Sequence, residues 1–208
     1  MKRIKTKKFN KEFFKELREK SQITYQDVAA LNWGETVDGK YTIIDRYFFD
    51  WSTVDKKNNL HPIKMDVNEY IMKFIEKSNK SGKSVDVYLG VDSQNRLLNT
   101  TFVAVIALHV DRNGVHEIVS RFNMPKIYDY RYRLLREADM LGEVGRKFIP
   151  FFRENEIPYD LHLDYNNSTN HKSNGVVTEA TNYLKHLGYN PKIKPEAWAA
   201  SCAADFLC

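Results

Sequence analysis

VDVYLGVD, residues 85–92, is followed closely by TTFVAVIALHV, residues 100–110. In the first stretch Val85, Val87, Leu89 and Val91 alternate with Asp86, Tyr88, Gly90 and Asp92, the period-two signature of a strand with two different faces. The second stretch is almost wholly apolar, as expected of a strand buried on both faces. Asp111-Arg112-Asn113-Gly114 supplies turn chemistry, and Val115 to Met124 returns as a third strand. Three strands in succession predict a meander at the heart of a sheet.

Working outward, the next segment predicts a long helix, roughly Tyr128 to Glu154, with Leu134, Ala138, Leu141, Phe148 and Phe152 on its buried face. Pro158 opens a strand over Tyr159 to Asp164, and Asn166 to Asn174 is a polar loop. Val176 to Leu187 is helical and Gly188 stops it. Tyr189 to Lys194 is a short final strand, and Pro195 sits at the first position of a last helix, where its missing N–H costs nothing. Antiparallel strands followed by strand–helix alternation predict an α/β fold with a mixed sheet and helices packed on it.

Upstream, Asp66 is a plausible N-cap for a helix whose Val67, Tyr70, Ile71, Phe74 and Ile75 form one stripe. Asp55 to Pro62 is polar, ends in proline and reads as a linker. Residues 1–62 therefore form an N-terminal accessory region and 63–208 the main domain. Within the accessory region, Phe9, Phe13, Phe14 and Leu17 recur at helical spacing, a second short helix is expected around Val28 to Leu31, and Lys40 to Trp51 has strand composition.

Composition limits the partners. Hydrophobic residues make up 42 % of the 208, with twelve Phe and twelve Tyr, which is ample for a core and argues against disorder. No apolar run reaches membrane-span length and no signal-peptide core follows the basic start, so a cytoplasmic protein without a membrane partner is expected. Cys202 and Cys208 match neither a redox pair nor a zinc ligand set. The formal net charge is +5, and Lys2, Arg3, Lys5, Lys7, Lys8 and Lys11 crowd the start. Such an arm binds nucleic acid by counterion release or is simply a solvated tail. Phosphate-binding loops of the P-loop and Rossmann kinds are missing, which removes support for nucleotide-cofactor chemistry.

Several carboxylates fall where chemistry is expected. Asp92 and Asp164 each close a core strand, and ligands usually bind at the carboxyl ends of strands in an open sheet; aspartate at a strand end is also ordinary turn chemistry. Glu137 flanks the buried stripe of the long helix. A carboxylate half-buried towards a sheet needs a partner or a metal, and a solvated flank position is the plain alternative. Asp205 shares a face with Trp198 and Ser201 near the end of an alanine-rich helix. The helix dipole disfavours a carboxylate there and a cation would offset that; an exposed chain-end aspartate costs little. Clustered carboxylates repel, and divalent cations restore their charged forms.

These pieces also occur in a familiar order. YLGVDSQ (88–94), Arg133-Leu134 with Glu137, HLDYN (162–166), Lys172-Ser173-Asn174, and Lys194-Pro195 with Ala199-Ala200-Ser201 and Ala204-Asp205 resemble the bacterial and phage ribonuclease-H-like proteins of the YkuK (DUF458) type. The resemblance runs from about Met65 to the C-terminus and leaves out the first sixty residues. It implies a ribonuclease-H-like three-layer fold with a five-stranded mixed sheet, and a catalytic metal site at Asp92, Glu137, Asp164 and Asp205.

The neighbouring polar residues have two readings each. Ser93 and Gln94 orient substrate or make the turn. Asn166, Asn167 and Lys172 contact phosphate or belong to a solvated loop. Lys194 is placed to reach a phosphate, and His162 reads as a packed strand histidine. The expected function is a metal-dependent nuclease using two Mg²⁺ or Mn²⁺ ions on RNA, RNA–DNA hybrid or structured DNA. The alternatives are a non-catalytic nucleic-acid-binding module and a phage or host interaction protein.

Overall fold

The computed structural model describes residues 49–111, 114–166 and 174–199, together with the backbone of two short strands before them. The chain divides into two compact units, Met1–Phe48 and Phe49–Cys208. In the first, β1 (Glu35–Val37) and β2 (Lys40–Thr42) pair antiparallel. The two helices expected around Phe9 and Val28 and the basic arm lie outside the described residues.

The second unit runs β3 (Trp51–Val54), β4 (Leu60–Pro62), α1 (Val67–Lys80), β5 (Val85–Asn95), β6 (Asn99–Val110), β7 (Gly114–Pro125), α2 (Tyr130–Glu154), β8 (Tyr159–Asn166), α3 (Asn174–His186) and β9 (Pro191–Lys194). Its sheet has the order β4-β3-β7-β6-β5-β8-β9. The meander β5-β6-β7 is antiparallel, and β8 and β9 add in parallel beside β5. The carboxyl ends of β5, β8 and β9 therefore share one end of the sheet.

Five strands were expected and seven are present. The additional pair is β3, which just precedes the stretch read as a linker, and β4, which lies within it. Asp55 Oδ1 accepts from the backbone N–H of Lys57 (2.8 Å) and Asn59 (2.9 Å), and Asn58 adopts a positive φ of 62°. This turn folds β4 back on β3, and β3 pairs with β7. Polar turn residues and an edge proline imitate a linker, because proline is tolerated on an edge strand. Buried Trp51 pins β3 by an edge-on contact with Phe148 of α2, centroids 5.4 Å apart. The strand composition noted over Lys40 to Trp51 thus belongs to two separate elements, β2 and the start of β3, with 43–48 outside the described residues.

Strand periodicity explains the two cores. Val85, Val87, Leu89 and Val91 of β5 pair with Val110, Leu108, Ile106 and Ala104 of β6. This face carries α2, which lies on β5, β6 and β8. The opposite face gathers Val103, Val105, Ala107, Val119 and Ala199, with Val54, Tyr88 and Trp198 against them. Every residue of β6 from Thr100 to Leu108 is buried, as its unbroken apolar run predicts.

The first helix starts at the cap expected, Asp66; the second starts at Tyr130 and the third at Asn174, each two residues from its expected start. Asp66 accepts from Glu69 N–H (3.1 Å) at α1, and Asp129 accepts from Tyr132 N–H (2.9 Å) at α2. Gly188, with φ +83°, ends the α3 segment. On α2, a Cβ at Gly145 would come 3.0 Å from the Tyr189 ring, so glycine permits the close approach of that segment. Pro195 departs from expectation. It lies in a turn with Glu196, whose N–H and that of Ala197 both point to the Ile193 carbonyl (2.9 and 3.1 Å). Proline's fixed φ suits a turn corner as well as a first helical position, and only the neighbouring contacts choose between them. Among the described residues, no helix is long and apolar enough to cross a membrane.

Candidate functional site

At the shared carboxyl end, Asp92 and Asp164 each follow directly on the last register pair between β5 and β8, Val91 with Leu163. Adjacent strands lie about 4.8 Å apart, so the fold brings these two acids side by side on the face away from α2. Ser93, one residue on, points the other way and is buried under α2.

Glu137 meets it there. Placed by α2, it is 1 % exposed. Ser93 Oγ donates to Glu137 Oε1 at 2.5 Å, and Arg133 Nη1 donates to Ser93 Oγ at 2.7 Å and also to the Ser93 carbonyl. Arg133 Nη1 stands 3.6 Å from Glu137 Oε1, one helical turn away. The Tyr165 hydroxyl lies within reach of both the Leu134 carbonyl and the Glu137 carboxylate. Burial, and after it the Asp92 charge, hold the Glu137 carboxyl well above the usual carboxylate range; Ser93, Arg133 and Tyr165 pull the other way. Tyr165 is itself pushed well up, first by burial and then by Glu137.

Asp164 has a cation of its own, Lys194 Nζ at 2.6 Å from Oδ1. A parallel pair, Lys192 with Asp160 at 2.7 Å, stands further back on the same two strands. Tyr130 stacks on the Arg133 guanidinium, 5.1 Å from its ring centroid; its hydroxyl is pushed up mainly by burial, and it feels the charges of Arg133, Glu137, Asp92 and Asp164. Tyr130 therefore stands within electrostatic range of all three acids.

His162 is packed, as read from the sequence. It lies between the Tyr88 and Trp198 rings, with centroids at 4.9 and 6.0 Å. Its Nδ1 accepts from the N–H groups of Trp198 (3.3 Å) and Ala199 (3.2 Å). Burial pushes its pKa down to about 4. The histidine thereby anchors the start of the segment that leads to Asp205.

The fold thus gathers Asp92, Ser93, Glu137, Asp164 and Lys194 at one sheet end. Gln94 is exposed on the outgoing strand, and Asn166 stands opposite Lys194 in the β8–β9 register. Asn167, Lys172 and Asp205 lie outside the described residues. Among the described residues, no three acidic, histidine or cysteine side chains converge closely enough to hold a metal ion. Strand alternation is the physical reason: Asp92 and Asp164 face away from α2, whereas Glu137 is buried beneath it. Sequence reading gave no role to Arg133, Tyr130 and Tyr165. Their signals were the four-residue spacing of Arg133 from Glu137, the helix start for Tyr130, and adjacency to Asp164 for Tyr165.

The family model described as ribonuclease H-like matches residues 66–207. The chain belongs to the ribonuclease-H-like family. Separate searches of the curated proteins and of the solved structures found no match. Membership agrees with the mixed sheet. The β5–β9 part of this ribonuclease-H-like sheet lies within the matched region, whereas β3 and β4 precede it.

Proposed function

We propose that this ribonuclease-H-like protein, of the YkuK (DUF458) type, is a cytoplasmic metal-dependent nuclease that hydrolyses phosphodiester bonds of RNA, an RNA–DNA hybrid or structured DNA. One observation carries the reading: Glu137 is fully buried at the sheet end where ligands bind, and the charge of Asp92, across the sheet end, adds to burial in raising its pKa. Two such carboxylates stay ionised together only with added positive charge. Hard oxygen donors of this kind suit Mg²⁺ or Mn²⁺. Asp92, Glu137, Asp164 and Asp205 would hold the ions. Bound there, a pair of ions supplies water activation and stabilisation of the leaving oxygen.

The protein's own groups do the rest. Ser93 and Arg133 orient Glu137 and favour its charged form against burial. Lys194 neutralises Asp164 and is a cation that can exchange that carboxylate for a substrate phosphate. Gln94, Asn166 and Lys172 are assigned to the substrate. Tyr130 packs its ring against the Arg133 guanidinium, 5.1 Å away, and so helps to hold the group that pairs with Glu137.

The test is a cleavage screen of labelled single strands, duplexes, hybrids and branched DNA with Mg²⁺, Mn²⁺ or EDTA. Metal-dependent cleavage lost more than about 100-fold in Asp92→Asn supports the reading, since loss of an outer-shell partner alone costs 10- to 100-fold. Metal calorimetry on the folded variant checks the same residue: unchanged Mn²⁺ affinity removes Asp92 from the site.

A second reading has a specific observation behind it. Arg133 and Lys194 already provide positive charge to Glu137 and Asp164. A module that binds nucleic acid without cutting it needs no more than this. Nucleic-acid binding without cleavage under every metal condition would favour it.

A further inference from the structure

The turn joining β5 and β6 is unusual in its side chains. Arg96 N–H donates to the Asn99 carbonyl (2.7 Å), leaving Leu97 and Leu98 at the tip, 92 % and 78 % exposed. Tight turns favour Gly, Asn, Asp and Pro, so turn chemistry does not ask for two leucines here. Beside the tip, Tyr128 is 82 % exposed, with Lys126 Nζ 5.5 Å from its ring centroid. Tyr130 follows, with the Arg133 guanidinium 5.1 Å from its ring.

The backbone that carries these groups is held by hydrogen bonds at the base of the turn. Asn95 Nδ2 donates to the Ile127 carbonyl (2.9 Å), Thr100 Oγ1 to Asn95 Oδ1 (2.6 Å), and Ile127 N–H to Thr100 Oγ1 (2.8 Å). The lattice of bonds straps the segment before α2 to the base of the turn. The nearest acid in sequence, Asp129, is engaged as the cap of α2. What results is a ledge of exposed apolar and aromatic side chains with cations interleaved, continuous through Tyr130 with the acidic site.

Aromatic platforms alternating with cations suit a chain of stacked bases and phosphates. We propose that the ledge binds an unpaired nucleic-acid strand, which rests on the nuclease reading for its relation to the acidic site. Bases stack on Tyr128 and Tyr130, Leu97 and Leu98 cover a base face, and Arg96 and Lys126 hold phosphates. A blunt duplex offers no exposed base faces along its length, so the ledge selects substrates with an unpaired segment next to the bond at the acids.

Fluorescence anisotropy of the full-length chain, in EDTA, with a labelled single strand and a blunt duplex of equal length tests this. Tyr128→Ala should weaken single-strand binding roughly five- to 150-fold, the range for one base–aromatic stack, and leave duplex binding unchanged. Tyr128→Phe should retain most of the affinity. Lys126→Gln should lower the single-strand salt slope by roughly 0.7. An equal effect of Tyr128→Ala on both probes, or none on either, overturns the proposal. So does a Leu97→Ser, Leu98→Ser variant that changes the oligomeric state without changing oligonucleotide affinity, because the ledge is then a contact between copies. With no metal in the assay, failure of the nuclease reading leaves this measurement intact, and failure of the ledge leaves metal-dependent cleavage intact.

Discussion

Ser93 illustrates how one side chain can serve a whole site. It donates to a buried carboxylate and accepts from a guanidinium, so its removal leaves Glu137 with one partner fewer in a place water does not reach. Ser93→Ala should cost about 1–3 kcal/mol of stability, the usual penalty for an orphaned buried acceptor, and roughly 10- to 100-fold in metal affinity or cleavage. Urea unfolding and metal calorimetry on the same variant check both, and no loss in either would make the hydrogen bond incidental. Glu137 itself carries a pH signature. Its folded pKa is raised above that of an unfolded glutamate, so the neutral form is favoured in the fold. Stability is then full below the unfolded value and is lost as pH rises through the raised one. Glu137→Gln should flatten that loss, which begins above the ordinary glutamate value of 4.5, and remove metal-dependent cleavage. A variant as pH-sensitive as the parent would show that other groups cause the loss.

Between elements, the docking of α1 on β7 depends on a histidine. His116 Nε2 is 2.9 Å from the Tyr70 hydroxyl, and its ring stacks on Phe74 with centroids 4.6 Å apart. Burial lowers its pKa, so the folded state keeps it neutral while the unfolded chain takes up a proton below about pH 6.5. The sign follows: the unfolded state binds more protons, so stability falls as pH drops below 6.5. His162, pushed down to about 4 by burial, acts in the same direction over the window from 6.5 to about 4. Urea unfolding between pH 7.5 and 5 should show this decline, with a shallower slope in His116→Gln. Hydrogen exchange should place the local part of the loss in α1. An identical slope in the variant would assign the decline to other groups. Element limits were largely legible: the α1 cap at Asp66, the three-strand meander and the long α2 all follow from capping and periodicity. β4 was not, because a short edge strand after the Asp55 turn has the composition of a linker, and the pairing of β3 with β7 is a long-range event.

The whole molecule joins a basic N-terminal arm to a ribonuclease-H-like unit. If metal binds the folded acids and not the unfolded chain, millimolar Mg²⁺ or Mn²⁺ should raise the melting temperature by mass action. A melting temperature indifferent to both would favour the non-catalytic module. The arm gives a separate prediction. Deleting the first eight residues, with Lys2, Arg3, Lys5, Lys7 and Lys8, should weaken nucleic-acid binding and flatten its salt dependence by roughly 0.7–0.9 in log–log slope per phosphate released. Metal-dependent cleavage should return at high substrate, since the assigned ligands all lie beyond Gly90. An unchanged slope would make the arm a solvated tail. Complete loss of cleavage at saturation, in a folded protein, would place the N-terminal unit in the active site.

Local order was readable from the residues alone: alternation in β5, the apolar run of β6, the caps and the helix stripe depend on neighbours a few positions away, and a linear pattern records them. The same reading brought Asp92, Glu137 and Asp164 forward as candidates, and the fold does bring them to one end of the sheet. Tertiary structure alone decided the environment of each. Glu137 could have been a solvated flank residue; it is buried because α2 lies flat on β5 and turns that register towards Ser93. The pairings of Lys194 with Asp164 and of His162 with the Trp198–Ala199 backbone join positions 30 and more residues apart. Such contacts depend on which strands become neighbours. Sheet order is set by the packing of the whole chain, and no local pattern encodes it.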